Sequence, residues 1–235
     1  MTWIAIDLTS GRSWLMDDHI PLAQRTGTTP EALIGDWQGP QVIAGLPDAA
    51  VAYVPCKALP PSGQFGPVVQ DSPAHQLPHS AAIAGFLSSQ DDWDGVICLV
   101  SSQVHWVHVS AGEIVSFQSS VTPETFAAFA SGTMSTAAFD EGLAQAMDRP
   151  ERILSHIASA RVADGDAVSR ILGLLIGADL KGSRAYWLGQ RVAVIGDGAI
   201  ADGYARALTA QSVPVLQMPD TTLAGLVAAY KGLSQ

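Results

Sequence analysis

The sequence predicts a mixed α/β fold built on two sheets. Three observations predict it. The first sixty residues hold short apolar runs of strand length with little helix between them. A second β-rich stretch follows, GVICLVSS and then VHWVHVSAGEIVSFQSS, ending at Ser120. From residue 123 helices dominate, until the chain closes on strand, glycine turn and helix. Such an order differs from the simple strand–helix alternation of a single doubly wound sheet.

Taken in order, strands are expected at 3–7, 12–16, 41–45 and 51–54. Between them a short helix is expected at 29–37, capped by Thr29 with Pro30 at its first position. Residues 57–78 are rich in Pro, Gly, Ser and Gln and read as a loop or crossover. The run HSAAIAGFLSSQ predicts a helix over 79–90. GVICLV is a continuous apolar strand, and the next stretch is a hairpin turning at Ala111-Gly112. Helices follow at 123–131, 135–147, 150–160 and 164–181, with Pro123 and Pro150 in first-turn positions. RVAVIGDGAIADGYARALTAQ reads as strand, turn and helix, and a strand at 213–217 and a helix at 220–232 finish the chain. The lobes are expected at 1–75 and 92–235, with a crossover helix at 76–91.

A chain of 235 residues with 48% hydrophobic content can bury a large core. The formal net charge of −10 argues against a non-specific nucleic-acid binder and against docking on anionic lipid. It leaves room for a local basic pocket. No apolar run reaches the roughly 18–20 residues of a membrane span, and the N-terminus reads as a strand rather than a signal peptide. Cys56 and Cys98 stand far apart in apolar surroundings and read as two buried thiols in a reducing cytoplasm. The six histidines form no metal pattern, and no Gly-x-Ser-x-Gly elbow is present.

Two stretches carry possible nucleotide chemistry. In IGDGAIADGYARAL, Gly196-Asp197-Gly198 opens a helix. Backbone N–H groups at a helix start can hold a phosphate. The full Gly-x-Gly-x-x-Gly spacing is broken by Ala201, so a plain strand-to-helix turn and a nucleotide contact both stay open. In GLLIGADL, Gly173 and Gly177 share one helix face, which suits either close helix packing or an adenine pocket.

These motifs, with the opening IAIDLTSGRSWL, resemble the 2-dehydro-3-deoxygalactonokinases, small bacterial sugar-acid kinases. YVPCKALP resembles that family's Tyr-Val-Pro-Cys-Pro segment, and VHWVHVSAGEIVSFQSSVTPE its second hairpin. AFDEGL, GLLIGADL and VIGDGAIADGYARAL match its C-terminal lobe in order and spacing. The resemblance implies the two-lobed actin/hexokinase-like (ribonuclease H-like) sugar kinase fold. It also implies ATP-dependent phosphorylation of a 2-keto-3-deoxy sugar acid, with magnesium bridging the phosphates and a carboxylate as base.

Carried over by residue, Asp7 matches the hairpin aspartate that organises magnesium and phosphate. Thr9, Ser10, Gly11 and Arg12 match its turn, and Trp14 follows. Ser101 and Ser102 fall on the second phosphate loop. Ala44, Gly45 and Glu124 fall on the substrate side, and Thr122 matches the threonine beside it. Gly173, Gly177, Gly196 and Asp197 fall on the nucleotide side. The implied partner is a small-molecule sugar acid in a bacterial cytoplasm, with no nucleic acid and no membrane, and with room for a homodimer.

The departures gather where the chemistry belongs. Thr9 replaces a glycine of the first hairpin, and its β-carbon crowds a phosphate. Ser101-Ser102-Gln103 replaces Gly-Thr-His, and His105 replaces a lysine. The substrate loop after Gly45 is shortened to LPDAA. Pro78-His79-Ser80-Ala81 stands where the family has the Gly-Glu-Glu-Thr that supplies a carboxylate. One lost base and one lost phosphate loop together predict a rate at least about 10³ below an intact relative. Two readings follow: a sugar-acid kinase with a degenerate site, or a non-catalytic ligand-binding or regulatory protein on the same fold.

Overall fold

The chain folds into two compact units, seen in a computed structural model that describes residues 1–46, 48–90, 92–132, 134–163 and 165–233. The first unit holds Met1–Asp94, Val109–Phe117 and the chain from Asp220. The second holds Gly95–His108 and Gln118–Pro219.

The first unit is built on β1 (Thr2–Asp7), β2 (Arg12–Asp17), β3 (Ile20–Thr26), α1 (Pro30–Ile34) and β4 (Gln41–Ala44). The strands form one sheet in the order β3-β2-β1-β4, with β1 antiparallel to β2 and parallel to β4. Thr29 caps α1 by accepting from the Ala32 N–H. Side chains alternate across β1. Ile4 and Ile6 join Leu33 and Ile43 in one apolar cluster, whereas Trp3 stacks on Tyr230 with ring centroids 4.2 Å apart.

The chain continues through β5 (Ala52–Tyr53), β6 (Cys56–Lys57), β7 (Val68–Asp71), β8 (Ala74–Leu77) and α2 (Ser80–Leu87). β5, β7 and β8 form a three-stranded sheet. The helix α9 (Thr222–Leu233), last in the chain, packs on α2 through paired glycines. A Cβ on Gly85 would lie 2.0 Å from the Thr221 carbonyl oxygen, and one on Gly225 1.9 Å from that of Ala81. Only glycine at both places allows the two backbones to approach so closely.

The second unit contains β9 (Gly95–Val100), most of β10 (Val104–Ser110), the end of β11 (Glu113–Ser120), α3 (Thr122–Phe129) and α4 (Thr136–Asp148). After a 3₁₀ turn at Pro150–Arg152 come α5 (Ile153–Ala160), α6 (Ala167–Gly182), α7 (Arg184–Trp187), β12 (Val192–Ile195), α8 (Ala199–Ala210) and β13 (Val215–Met218). The sheet order is β13-β12-β9-β10-β11-β6, and β12 runs parallel to both β9 and β13. Ala111 and Gly112 both take positive φ, 51° and 70°, the pairing that tight hairpin turns require. The core of this unit gathers Trp106, Phe139, Leu174, Ile176 and Tyr204.

The sequence reading needs correction in four places. Residues 57–78 contain the β7–β8 hairpin as well as loop. β3 was not expected: all seven of its residues are exposed on a sheet edge, so it carries no burial pattern. The 150–160 segment divides into a 3₁₀ turn and a shorter helix, because Pro150 opens a turn that Ile153 then continues as α-helix. Cys98 is buried, but Cys56 is half-buried on the edge strand β6. Asp164, the first residue of the expected 164–181 helix, and Pro47 of LPDAA lie outside the described residues.

Candidate active site

β1 ends on Asp7 and β2 begins on Arg12, so antiparallel register places the two side by side. Asp7 is 1% exposed, and a carboxylate that deeply buried needs donors. The turn supplies them. Asp7 Oδ1 accepts from the Thr9 backbone N–H at 3.0 Å and from the Thr9 hydroxyl. Asp7 Oδ2 accepts from the Ser10 hydroxyl and lies 3.6 Å from Arg12 Nη2. The Arg12 Nε–H donates to Ser10 Oγ at 2.7 Å, and its guanidinium lies 5.2 Å from the Trp14 ring centre. Gly11 takes φ 64° behind this turn.

Three further segments meet the turn. Asp220 stands between β13 and α9 and pairs with Arg12 Nη2 through Oδ2. Its Oδ1 accepts from the Thr222 N–H at 2.9 Å and the Thr222 hydroxyl at 2.6 Å. His79 precedes α2, and its Nδ1 lies 2.9 Å from Thr9 Oγ1. Ala44 ends β4 and accepts from the Leu8 N–H at 3.0 Å. Gly45 has φ 81°, and a Cβ there would sit 2.5 Å from Thr9 Cγ2. A residue larger than glycine at 45 would displace Thr9 from its place beside Asp7.

The charges follow from these contacts. Burial pulls His79 below the ordinary imidazole range; Asp7 and Asp220 pull it back up in part, and Arg12 lowers it further. Its ring is therefore neutral near pH 7. Burial raises Asp220, but donation from Thr222 and Arg12 outweighs it and holds the carboxyl below its usual value.

In the second unit, the Ser101–Gln103 turn closes on itself: the Ser101 N–H and hydroxyl both donate to the Gln103 carbonyl, at 2.8 and 3.0 Å. Gln103 Nε2 donates to Glu124 Oε1 at 3.2 Å, so Glu124 is tied to this turn through Gln103. The Gly196 N–H donates to the Met218 carbonyl at 3.1 Å, and a Cβ on Gly196 would lie 2.5 Å from the Val100 oxygen. Gly196 and Asp197 thus sit at the carboxyl ends of the parallel strands β9, β12 and β13, where open α/β sheets bind ligands. A Cβ on Gly198 would meet nothing within 4 Å, so a ligand can approach the start of α8. Gly173 and Gly177 face α4, where a Cβ would lie 2.0 Å from the Phe139 oxygen and 2.8 Å from that of Leu143. Tight packing of α6 on α4 accounts for both.

The family model of the 2-keto-3-deoxy-galactonokinases matches residues 80–229. The chain belongs to this family. The match begins one residue after His79 and takes in Asp220. No curated protein matches this kinase-family chain in sequence. A Sinorhizobium meliloti protein assigned as a 2-dehydro-3-deoxygalactonokinase is similar in structure at a TM-score of 0.84, over 99% of this chain and 98% of its own, with 17% identity. Component A of the Acidaminococcus fermentans (R)-2-hydroxyglutaryl-CoA dehydratase is similar at 0.52, over 99% and 98%, with 13% identity. The Clostridium difficile activator of 2-hydroxyisocaproyl-CoA dehydratase, solved with bound ADPNP, is similar at 0.51, over 100% and 95%, with 10% identity. At these identities the likeness is one of fold, shared with sugar kinases and actin-like ATPases.

Sequence reasoning missed Asp220 as a site residue. Its signal was the run Pro219-Asp220-Thr221-Thr222 before an apolar helix, which reads as a cap. The resemblance gives Asp7 a metal role. Both its oxygens are engaged by the turn, and among the described residues no three His, Cys, Asp or Glu gather as a metal site. These residues do not fit a metal held by protein ligands, so magnesium would enter with a nucleotide, as part of the substrate.

Proposed function

We propose that the chain is a sugar-acid kinase of its family, moving the γ-phosphoryl group of ATP to a hydroxyl of a 2-keto-3-deoxy sugar acid in a bacterial cytoplasm. One observation carries this reading. At the β1–β2 turn, Arg12 joins two carboxylates, Asp7 and Asp220, and the neutral imidazole of His79 stands beside them through Thr9. A guanidinium suits an anionic substrate group, and an imidazole or a carboxylate can take a proton. The open start of α8 at Gly198 supports a phosphate contact, since its N–H groups carry the positive end of the helix dipole. No described helix is long and apolar enough to cross a membrane, in keeping with a small-molecule substrate.

The non-catalytic reading is favoured by one specific fact: the donors around Asp7 all come from its own hairpin, and the Ser101–Gln103 turn is closed on itself. A coupled ADP-release assay with ATP and 2-keto-3-deoxygalactonate separates the two, with Asp7→Asn as the control for contaminating kinase. Turnover that Asp7→Asn abolishes supports the kinase. Binding of the sugar acid or Mg-ATP without turnover selects the second reading. Absence of both binding and turnover overturns both.

A further inference from the structure

One edge of the six-stranded sheet is open. β13 lies at its end and pairs with β12 alone. Successive residues of a strand turn their main-chain groups to alternate sides. The Val192 N–H donates to the Pro214 carbonyl at 2.9 Å and the Gly196 N–H to the Met218 carbonyl at 3.1 Å, so residues 214, 216 and 218 face β12. Val215 and Gln217 therefore turn their N–H and C=O groups outward, and among the described residues no partner meets these groups. The outward row ends on both sides. The Val213 N–H donates to the Leu208 carbonyl at 3.1 Å, and Pro219 has no N–H.

This edge also lacks the features that deter pairing. The edge strand β3 of the first unit carries Pro21, Arg25 and a register shift opposite Leu15 and Met16, all of which discourage an added strand. β13 reads Val-Leu-Gln-Met in regular register, without charge, proline or bulge. Leu216 and Met218 are half-buried. On the other face of the strand, Val215 and Gln217 line a cavity of about 770 Å³ together with α4 and α8.

We propose that β13 pairs with β13 of a second copy of the chain, antiparallel about a two-fold axis at Leu216. A two-fold contact must be self-complementary, and this register is. Val215 of each copy exchanges N–H···O bonds with Gln217 of the other, which satisfies every outward group of both strands. Leu216 faces its own copy between them, as a non-hydrogen-bonded apolar pair. Other two-fold registers leave groups unmet. An axis at Gln217 sets Val215 against Pro219, which cannot donate, and an axis at Val215 sets Gln217 against Val213, whose N–H is already bonded. The strip is uncharged, so pairing sets no like charges opposite each other although each copy carries a net charge of −10. The proposal goes beyond the kinase reading and stands without it.

The test reads both association and register. Sedimentation velocity should show a reversible monomer–dimer equilibrium with a Kd on the order of 10 μM, because so short a strip buries less than a tight interface does. Gln217→Pro removes an outward N–H without touching the β12 ladder and should weaken the dimer about tenfold or more. Gln217→Ala keeps that N–H and should leave the dimer intact. In a Cys56→Ser background, Leu216→Cys should form a disulfide with its own copy when diamide is added, since such pairs stand about 4.5 Å apart between Cα atoms. Gln217→Cys should not. Circular dichroism melts confirm that each variant is folded. A chain that stays monomeric well above that concentration overturns the proposal. A dimer that Gln217→Pro leaves unchanged overturns it too, as does cross-linking through Gln217→Cys but not through Leu216→Cys.

Discussion

Arg12 and Asp220 lie 208 positions apart in the chain and form an ion pair at the turn of the first hairpin. Through it, the start of the last helix is held to the start of the second strand. Asp220 serves two masters there, capping α9 through Thr222 and receiving the guanidinium that also faces Asp7.

Asp220→Ala should therefore cost more than an ordinary surface ion pair. The two side chains are 30% and 25% exposed, so screening limits the pair itself to about 1 kcal/mol, and the lost cap adds about 1 kcal/mol. Urea unfolding should show the midpoint fall with an unchanged m-value. The carboxyl of Asp220 is held below its ordinary value of 3.8, so its share of stability is present above that pH and is lost as pH falls through the folded value. Asp220→Asn should flatten that part of the acid limb. An unchanged acid limb would show that the pair contributes nothing.

His79 should produce a second, milder pH dependence. Its folded value lies below the ordinary 6.5, chiefly through burial. The unfolded chain then binds a proton first, so stability is fully present above pH 6.5 and declines as pH falls toward the folded value. Melting temperatures of wild type should drop over that window, and those of His79→Asn should drop less.

Gly173→Ala should be severely destabilising, by about 2–3 kcal/mol or more, because its Cβ would lie 2.0 Å from the Phe139 carbonyl oxygen. Gly182→Ala in the same helix should be neutral or stabilising by up to about 1 kcal/mol, since a Cβ there meets nothing within 4 Å. Chemical denaturation of the two variants makes the comparison. Equal effects would mean that helix propensity, rather than contact with α4, sets the value of glycine in α6.

Asp179→Ala should cost about 2–4 kcal/mol. The half-buried carboxylate accepts from Trp106 Nε1 at 3.1 Å and from the Tyr204 hydroxyl at 2.5 Å, and its loss strands both donors, whose side chains are buried in the core. Asp179→Asn keeps an oxygen acceptor and should cost less. Tryptophan emission should shift in the alanine variant, as Trp106 loses its partner.

The sequence alone carried the element order. Period-two and helical patterns, prolines in first turns and glycines at strand ends are local signals, and they placed strands at 3–7 and 12–16, within a residue of β1 and β2, the hairpin turning at Ala111-Gly112, and α3, α4, α6 and α8. They also singled out Asp7, Thr9, Ser10 and Arg12, because a strand running into an acid and a polar turn is visible in fifteen residues. What local pattern could not carry was exposure without alternation, as in β3, or a hairpin hidden in Pro- and Gly-rich sequence, as in β7 and β8. Nor could it show what the turn residues touch. Folding brings Gly45, His79 and Asp220 to Thr9 and Arg12 from three distant segments, and a hydrogen bond or an ion pair depends on distance in space rather than along the chain. Gly173 and Gly177 show the same division: the sequence placed them on one helix face, and only the packing of α4 against that face showed what lies there.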